Sequence, residues 1–235
     1  MQATIHQPDF MPWIGFFNKI AKSKKWVVLD HVTNNPRSAG LFKRTRILIN
    51  GSTFWLSLPI CRPNNAEEIG MPINEMKLNL ANYKSFEKLY KTIRMAYKSS
   101  PYFDKHFELV QEYFEDKSPM LLDRNMKFIK SMMKKLSINT EIIFSSKLNL
   151  SSKSNEMLID ILNSIDAKTY LCGTGASSYQ KDELFYRAGI DIKYNRFKEP
   201  KYKQMYSNKH FSGLSIIDSL FMVDIDTLSQ WVHDA

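Results

Sequence analysis

The chain has 235 residues, 43% hydrophobic and 13% aromatic, enough apolar material to bury a sizeable core. Its 33 basic against 24 acidic residues leave a net charge of +9, which admits a phosphate-bearing ligand, nucleic acid, an acidic carrier or membrane surface, or a lysine-rich solvated face. No apolar run approaches the roughly 18 residues of a membrane span, no signal-peptide pattern opens the chain, and Cys61 and Cys172 make neither a disulfide framework nor a metal cluster. A cytoplasmic protein with no tightly bound cofactor is expected, and without zinc-finger, RNA-binding or basic-helix signatures nucleic acid is not an expected partner.

Gln2–Gln7 reads as a buried strand. Pro8 and Pro12 then forbid regular pairing, since proline fixes φ and lacks an N–H. The apolar helical pattern Ile14–Lys22 comes next, and Trp26–His31 reads as a second strand ending in Leu29-Asp30-His31. Strand, crossover helix and strand make the unit of a parallel sheet. His6, Gln7 and Trp13 sit in or beside a proline-walled loop of the kind that presents ligand sites, and Asp30 closes a strand at the end where open α/β sheets bind ligands.

Asn50-Gly51 between β-rich runs predicts a hairpin, Lys43–Ile49 with Ser52–Leu58 and a type I′ turn. Period two puts Arg44 and Arg46 on one face, where forked donors can grip a diphosphate or carboxylate; an exposed, non-specific face is the alternative. Trp55 is expected in the core. Phe86, Tyr90, Ile93 and Tyr97, then Phe103, Phe107, Val110 and Phe114, then Leu122, Met126, Ile129, Met133 and Leu136 give three amphipathic helices, a helical layer inserted over 80–137. His106 on the second is expected to be structural.

Thr140–Phe144 reads as a strand, and Met157–Ile165 as a helix capped by Ser154 or Asn155. Thr169–Cys172, the Gly173–Tyr179 turn, a helix to Ala188 ended by Gly189, and a strand at Ile190–Tyr194 complete this half. This second βαβ unit carries a Gly/Ser-rich turn able to offer backbone N–H groups to an anion, although it matches neither the Rossmann fingerprint nor a P-loop. The chain is therefore expected to be one α/β domain over 1–235, with a mostly parallel sheet from two βαβ units, a β-hairpin and the inserted helical layer. The proline loop and the glycine turn are expected on one sheet edge.

His-Gln-Pro-Asp-Phe-Met-Pro-Trp-Ile-Gly-Phe-Phe resembles the opening signature of the WbqC-like family, a family associated with bacterial O-antigen and other polysaccharide gene clusters. The resemblance continues in Lys43-Arg44-Thr45-Arg46, Phe54-Trp55-Leu56, Tyr97 to Phe103, Gly173, Ala176 and Tyr179, and the closing Pro200, Tyr202, Gln204, Phe211, Ser215 and Asp218. It implies an enzyme of lipopolysaccharide biosynthesis transferring an acyl or aminoacyl group to the amine of a nucleotide-linked amino sugar. The donor would be an acyl-CoA or an acyl-carrier-protein thioester, with an acidic carrier docking on the basic surface. His6 is the candidate base, because an unperturbed imidazole titrates near neutrality, and Asp30 would orient it or bind the sugar. Gln7, Trp13, Lys43, Arg44, Arg46, Gly173, Ser177 and Tyr179 are the candidate substrate-binding residues. A nucleotidyltransferase-like enzyme, which would want a His-x-x-His pair that is absent after His6, and a non-catalytic nucleotide-sugar-binding protein are the alternatives.

Overall fold

The computed structural model describes residues 1–33, 40–61, 71–175 and 180–234. The chain runs through β1 (Gln2–His6), α1 (Ile14–Ala21) and β2 (Lys25–Val28), then the hairpin β3 (Arg44–Ile49) and β4 (Ser52–Ser57). The helical layer comes after it as α2 (Tyr83–Tyr97), α3 (Phe103–His106), α4 (Glu108–Glu115) and α5 (Leu121–Lys135). The second half comprises β5 (Glu141–Phe144), α6 (Ser154–Ser164), β6 (Thr169–Gly173), α7 (Asp182–Arg187) and β7 (Asp191–Asn195), and ends on α8 (Ile216–Met222) and α9 (Ile225–His233).

Five strands form one parallel sheet in the order β5-β2-β1-β6-β7. The chain builds outward from β1 through β2 to β5, then returns to the other side of β1 for β6 and β7. The direction of winding therefore reverses between β1 and β6, and in such sheets ligands bind beyond the strand ends at that switch point. The middle residues of β1, β2 and β6 are buried on both faces, whereas the edge strand β7 leaves Asp191 and Lys193 exposed. Ala3, Ile5, Val27, Tyr170 and Cys172 face Ile161 and Leu162 of α6 and Phe185 of α7. Trp26 and Val28 face the larger core, which takes in Phe16, Phe17 and Ile20 of α1, the helical layer, and Leu228 and Val232 of α9.

The hairpin turns as its sequence predicts, with Asn50 at φ 47° and Gly51 at φ 73°, the two positive angles of a type I′ turn. Gly51 has a second reason to be glycine, since an added Cβ would strike the Tyr206 carbonyl. Trp55 is not core. It is 50% exposed, because β3 packs inward while β4 lies outside it with most of its residues accessible. Arg44 and Arg46 do share a face, with guanidinium carbons 4.6 and 5.9 Å from the Trp55 ring centre.

Three other boundaries differ from expectation. β2 ends at Val28 rather than His31, because Asp30 turns to bond the segment after β5. The stripe Phe103–Phe114 is carried by two helices that meet at Phe107; Phe107 keeps helical angles, so the apolar spacing survives while the Val110 N–H bonds only three residues back. Neither Ser154 nor Asn155 caps α6. Lys153 is the capping residue without a side-chain bond, and the Asn155 side chain accepts from the Lys181 N–H instead. Ser215 caps α8, accepting from the Ile217 N–H.

His106 is buried with neither ring nitrogen hydrogen-bonded. Burial, then the charges of Lys135 and Lys105, hold its pKa below the ordinary value. The folded state therefore favours the neutral ring, and protonation opposes folding: this contribution is intact above the unfolded value of 6.5 and is lost as pH falls below it. Urea denaturation is expected to show stability declining from pH 7 to 5. His106→Leu should remove part of that decline and add about 1 kcal/mol at pH 7, since it replaces an unpaired buried polar group with an apolar one.

Candidate functional site

The loop between β1 and α1 is held from three directions. The Asn125 amide of α5 donates to the Pro8 carbonyl at 2.8 Å and to the Phe42 carbonyl at 2.7 Å. Thr45 Oγ1 of β3 and Ser215 Oγ at the start of α8 both donate to the Met11 carbonyl, at 3.0 and 2.7 Å. The Ile216 N–H bonds the Pro12 carbonyl, and Trp13 bridges Ser215. Met11 itself is fully buried at φ 43°, a left-handed backbone that a non-glycine residue keeps only where its surroundings over-determine it.

Behind this loop a cavity of about 400 Å³ opens at the switch point. The β1–β6 ladder covers Gln2↔Thr169 and Ala3↔Tyr170. Thr4 Oγ1 then donates to the Leu171 carbonyl, and beyond that the strand ends border the cavity. His6 lines one side and Gly173, Thr174 and Gly175 the other. The two turns separated by most of the chain thus face one space. A Cβ built on Gly173 or Gly175 meets nothing within 4 Å, so neither glycine is demanded by packing.

Aromatic side chains wall the cavity: Trp13, Phe16, Tyr170 and Phe197. Trp13 and Phe197 meet edge to face at 6.0 Å, and Phe16 lies 5.0 Å from the His6 ring at 85°. Gly15 makes room for Trp13, since an added Cβ would run into the indole. The Trp-x-Gly spacing therefore has a steric cause: the indole folds back over the first turn of α1, where only glycine leaves space. Asn195 and the exposed Arg196 complete the rim.

The polar centre is His6 with two buried residues, Asp9 and Lys19. His6 Nδ1 lies 2.9 Å from the Gln7 carbonyl and 3.8 Å from Asp9 Oδ2. A carbonyl only accepts, so Nδ1 carries the proton and Nε2 keeps its lone pair. Burial lowers the His6 pKa, and the Lys19 charge lowers it further. Burial raises the Asp9 carboxyl to about 7 and lowers the Lys19 ammonium to about 8. The near-neutral imidazole expected of an unperturbed histidine is therefore not what β1 presents. His6 here is a neutral ring whose proton position is set by its neighbours.

The expected site residues divide accordingly. His6, Trp13 and Gly173 line the cavity, and Gln7 contributes its carbonyl. Asp30 does not orient His6: its carboxylate accepts from Ser145 Oγ, Ser146 N and Ser146 Oγ at 2.7 to 2.9 Å, tying the end of β2 to the turn after β5. Asp9 stands beside the imidazole instead. Arg44 and Arg46 lie along Trp55, outside the cavity lining, and Arg46 also donates to the Ser212 carbonyl. Lys43 lies with its ammonium 6.0 Å from the Phe42 ring centre, likewise outside the lining. Ser177 and Tyr179, with Ala176, fall outside the described residues. Sequence reading missed Asp9, Lys19 and Arg196; the one local signal was a lysine three residues after Phe16 on a helix whose other buried positions, Asn18 apart, are apolar or glycine.

Gly15→Ala is expected to leave far-ultraviolet circular dichroism unchanged while displacing the Trp13 indole. Acrylamide should then quench tryptophan emission more strongly than in the parent, and a Trp13→Phe background should abolish that difference.

The family model for the WbqC-like protein family matches residues 7–230. Among curated proteins, an uncharacterized protein of Mycobacterium tuberculosis, Rv1507c, is 22% identical over 227 residues, covering 94% of each chain. No solved structure matches.

Proposed function

The chain belongs to the WbqC-like family, and from that premise and the cavity's chemistry we propose an enzyme that transfers an acyl or aminoacyl group from a thioester to the amine of a nucleotide-linked amino sugar. The observation that carries this reading is the His6 tautomer: Nδ1 is committed to the Gln7 carbonyl, leaving Nε2 as a proton acceptor on a ring that lines an aromatic-walled cavity.

In the reaction, the sugar amine must lose a proton as its nitrogen attacks the thioester carbonyl. His6 Nε2 takes that proton. The new C–N bond forms, the C–S bond breaks, and the departing thiolate accepts the proton back from the imidazolium. Asp9, 3.8 Å from Nδ1, stabilises the transient imidazolium, the role expected of Asp30 on sequence grounds. Aromatic walls suit a planar base, and Arg196 at the rim suits a phosphoryl group. A non-catalytic nucleotide-sugar-binding protein would use the same walls and cation without needing a fixed tautomer.

The test is to incubate the protein with nucleotide-linked amino sugars and acyl-CoA or acyl-carrier thioesters and follow product mass. A product gaining one acyl group is expected. His6→Gln should lower kcat by about 10²–10⁴, the usual contribution of a general base, with KM little changed. An unchanged kcat in that variant would place the base elsewhere; absence of both product and nucleotide-sugar binding would sink the reading.

A further inference from the structure

Lys19 is the group in the cavity that this chemistry leaves without a role. It is only 5% exposed on α1, and it lines the cavity. Among the described residues its ammonium makes no hydrogen bond or ion pair. A lysine that reaches a cavity without a protein partner is placed to take a counter-ion from what enters there. Among the described residues, the charged or titratable groups around it are Asp9 from the loop, His6 from β1, Tyr170 and Cys172 from β6, and Arg196 from the segment after β7. Cys172 is a buried thiol whose pKa is raised by that burial, so it supplies no charge at neutrality. Asp9 is the carboxyl whose charge favours the ammonium, and its own burial pushes it toward neutrality, to about 7. The cavity floor is thus a cation only partly offset, with a second cation, Arg196, at the mouth.

We propose that Lys19 and Arg196 form a phosphoryl-binding subsite at the floor and mouth of the cavity, and that filling this subsite is what makes His6 an effective base. The inference rests on the transfer reading for the chemistry after binding, but not for the binding itself. The coupling is electrostatic. The Lys19 charge is one of the two causes that hold His6 in its neutral form, the other being burial. An anion seated against Lys19 cancels that charge where dielectric screening is weak, so the imidazole becomes a better proton acceptor when the phosphate-bearing substrate is present. An empty site would then hold a weak base, and a loaded site a competent one.

Side-chain nitrogen resonances of the five histidines, with His6 assigned through His6→Gln, report the coupling in the full-length protein. Inorganic pyrophosphate is the probe, with acetate as the carboxylate comparison. In the free protein His6 should titrate well below the ordinary histidine value of 6.5. Saturating pyrophosphate should raise that midpoint by about one unit or more, a tenfold change in proton affinity. Lys19→Met should raise it without any anion, remove the response to pyrophosphate, and weaken pyrophosphate binding by about tenfold or more, the loss expected of a charge-assisted contact; Lys19→Arg should restore part of the binding. If Lys19→Met does not fold, the wild-type titrations still decide. Pyrophosphate that fails to bind, or binds while leaving the His6 midpoint in place, would overturn the proposal, as would a larger response to acetate. A responding His6 in a protein that acylates no amino sugar would keep the subsite and discard the transfer reading.

Discussion

A single peptide unit, the Met11 carbonyl, ties the structure together. To present it, Met11 adopts a left-handed backbone between Phe10 and Pro12, a conformation costing on the order of 1–3 kcal/mol. Two buried hydroxyls, Thr45 from the hairpin and Ser215 from the cap of α8, converge on that oxygen. Elements distant in sequence are thereby fastened to the loop after β1, and Asn125 of α5 fastens it again one turn earlier. The loop is rigid because its backbone groups are satisfied from outside itself. That rigidity aims Trp13 over α1 and holds Asp9 beside His6.

The same logic explains the closing motif. Asp218 is buried between two tyrosine hydroxyls, accepting from Tyr97 at 2.8 Å and from Tyr202 at 2.7 Å, while the Leu48 N–H donates to Tyr97. Gln204 mimics a strand neighbour, donating to the Phe211 carbonyl and accepting from the Phe211 N–H. These polar residues look chemical in a linear motif, yet their hydrogen bonds are internal and join the helical layer, the hairpin and the tail. A buried polar group must be paired, and the pairing here serves assembly. His106, buried with neither ring nitrogen bonded, departs from that rule in the helical layer, and Lys19 departs from it as a lysine that lines the cavity.

Charge divides in the same way. The lysines that give the chain its basic character are mostly exposed, and exposed charges are well screened. The cation set apart from them is Lys19, nearly inaccessible at the cavity, whose charge bears on His6 and Asp9. Net charge therefore pointed toward anions in general, while one buried side chain supplies the local reason.

Elements with a local cause were legible in the sequence: the parallel sheet from two βαβ units, the Asn-Gly hairpin, the inserted helices, and a cavity at the meeting of the proline loop and the glycine turn. Period-two and helical spacing, proline's missing N–H and the angles of a type I′ turn act within a few residues. The partners of His6 were not legible. Asp30 and Asp9 both stand near strand ends, and only the packed fold shows that Ser145 and Ser146 take the first while the second stays beside the imidazole. Arg44 and Arg46 likewise share a face as period two requires, but only tertiary placement puts Trp55 against them and the cavity elsewhere. Sequence by itself determined which segments become strands, turns and helices. Tertiary structure decided which ionisable groups meet, because desolvation and charge–charge coupling depend on distances across the fold that no local pattern records.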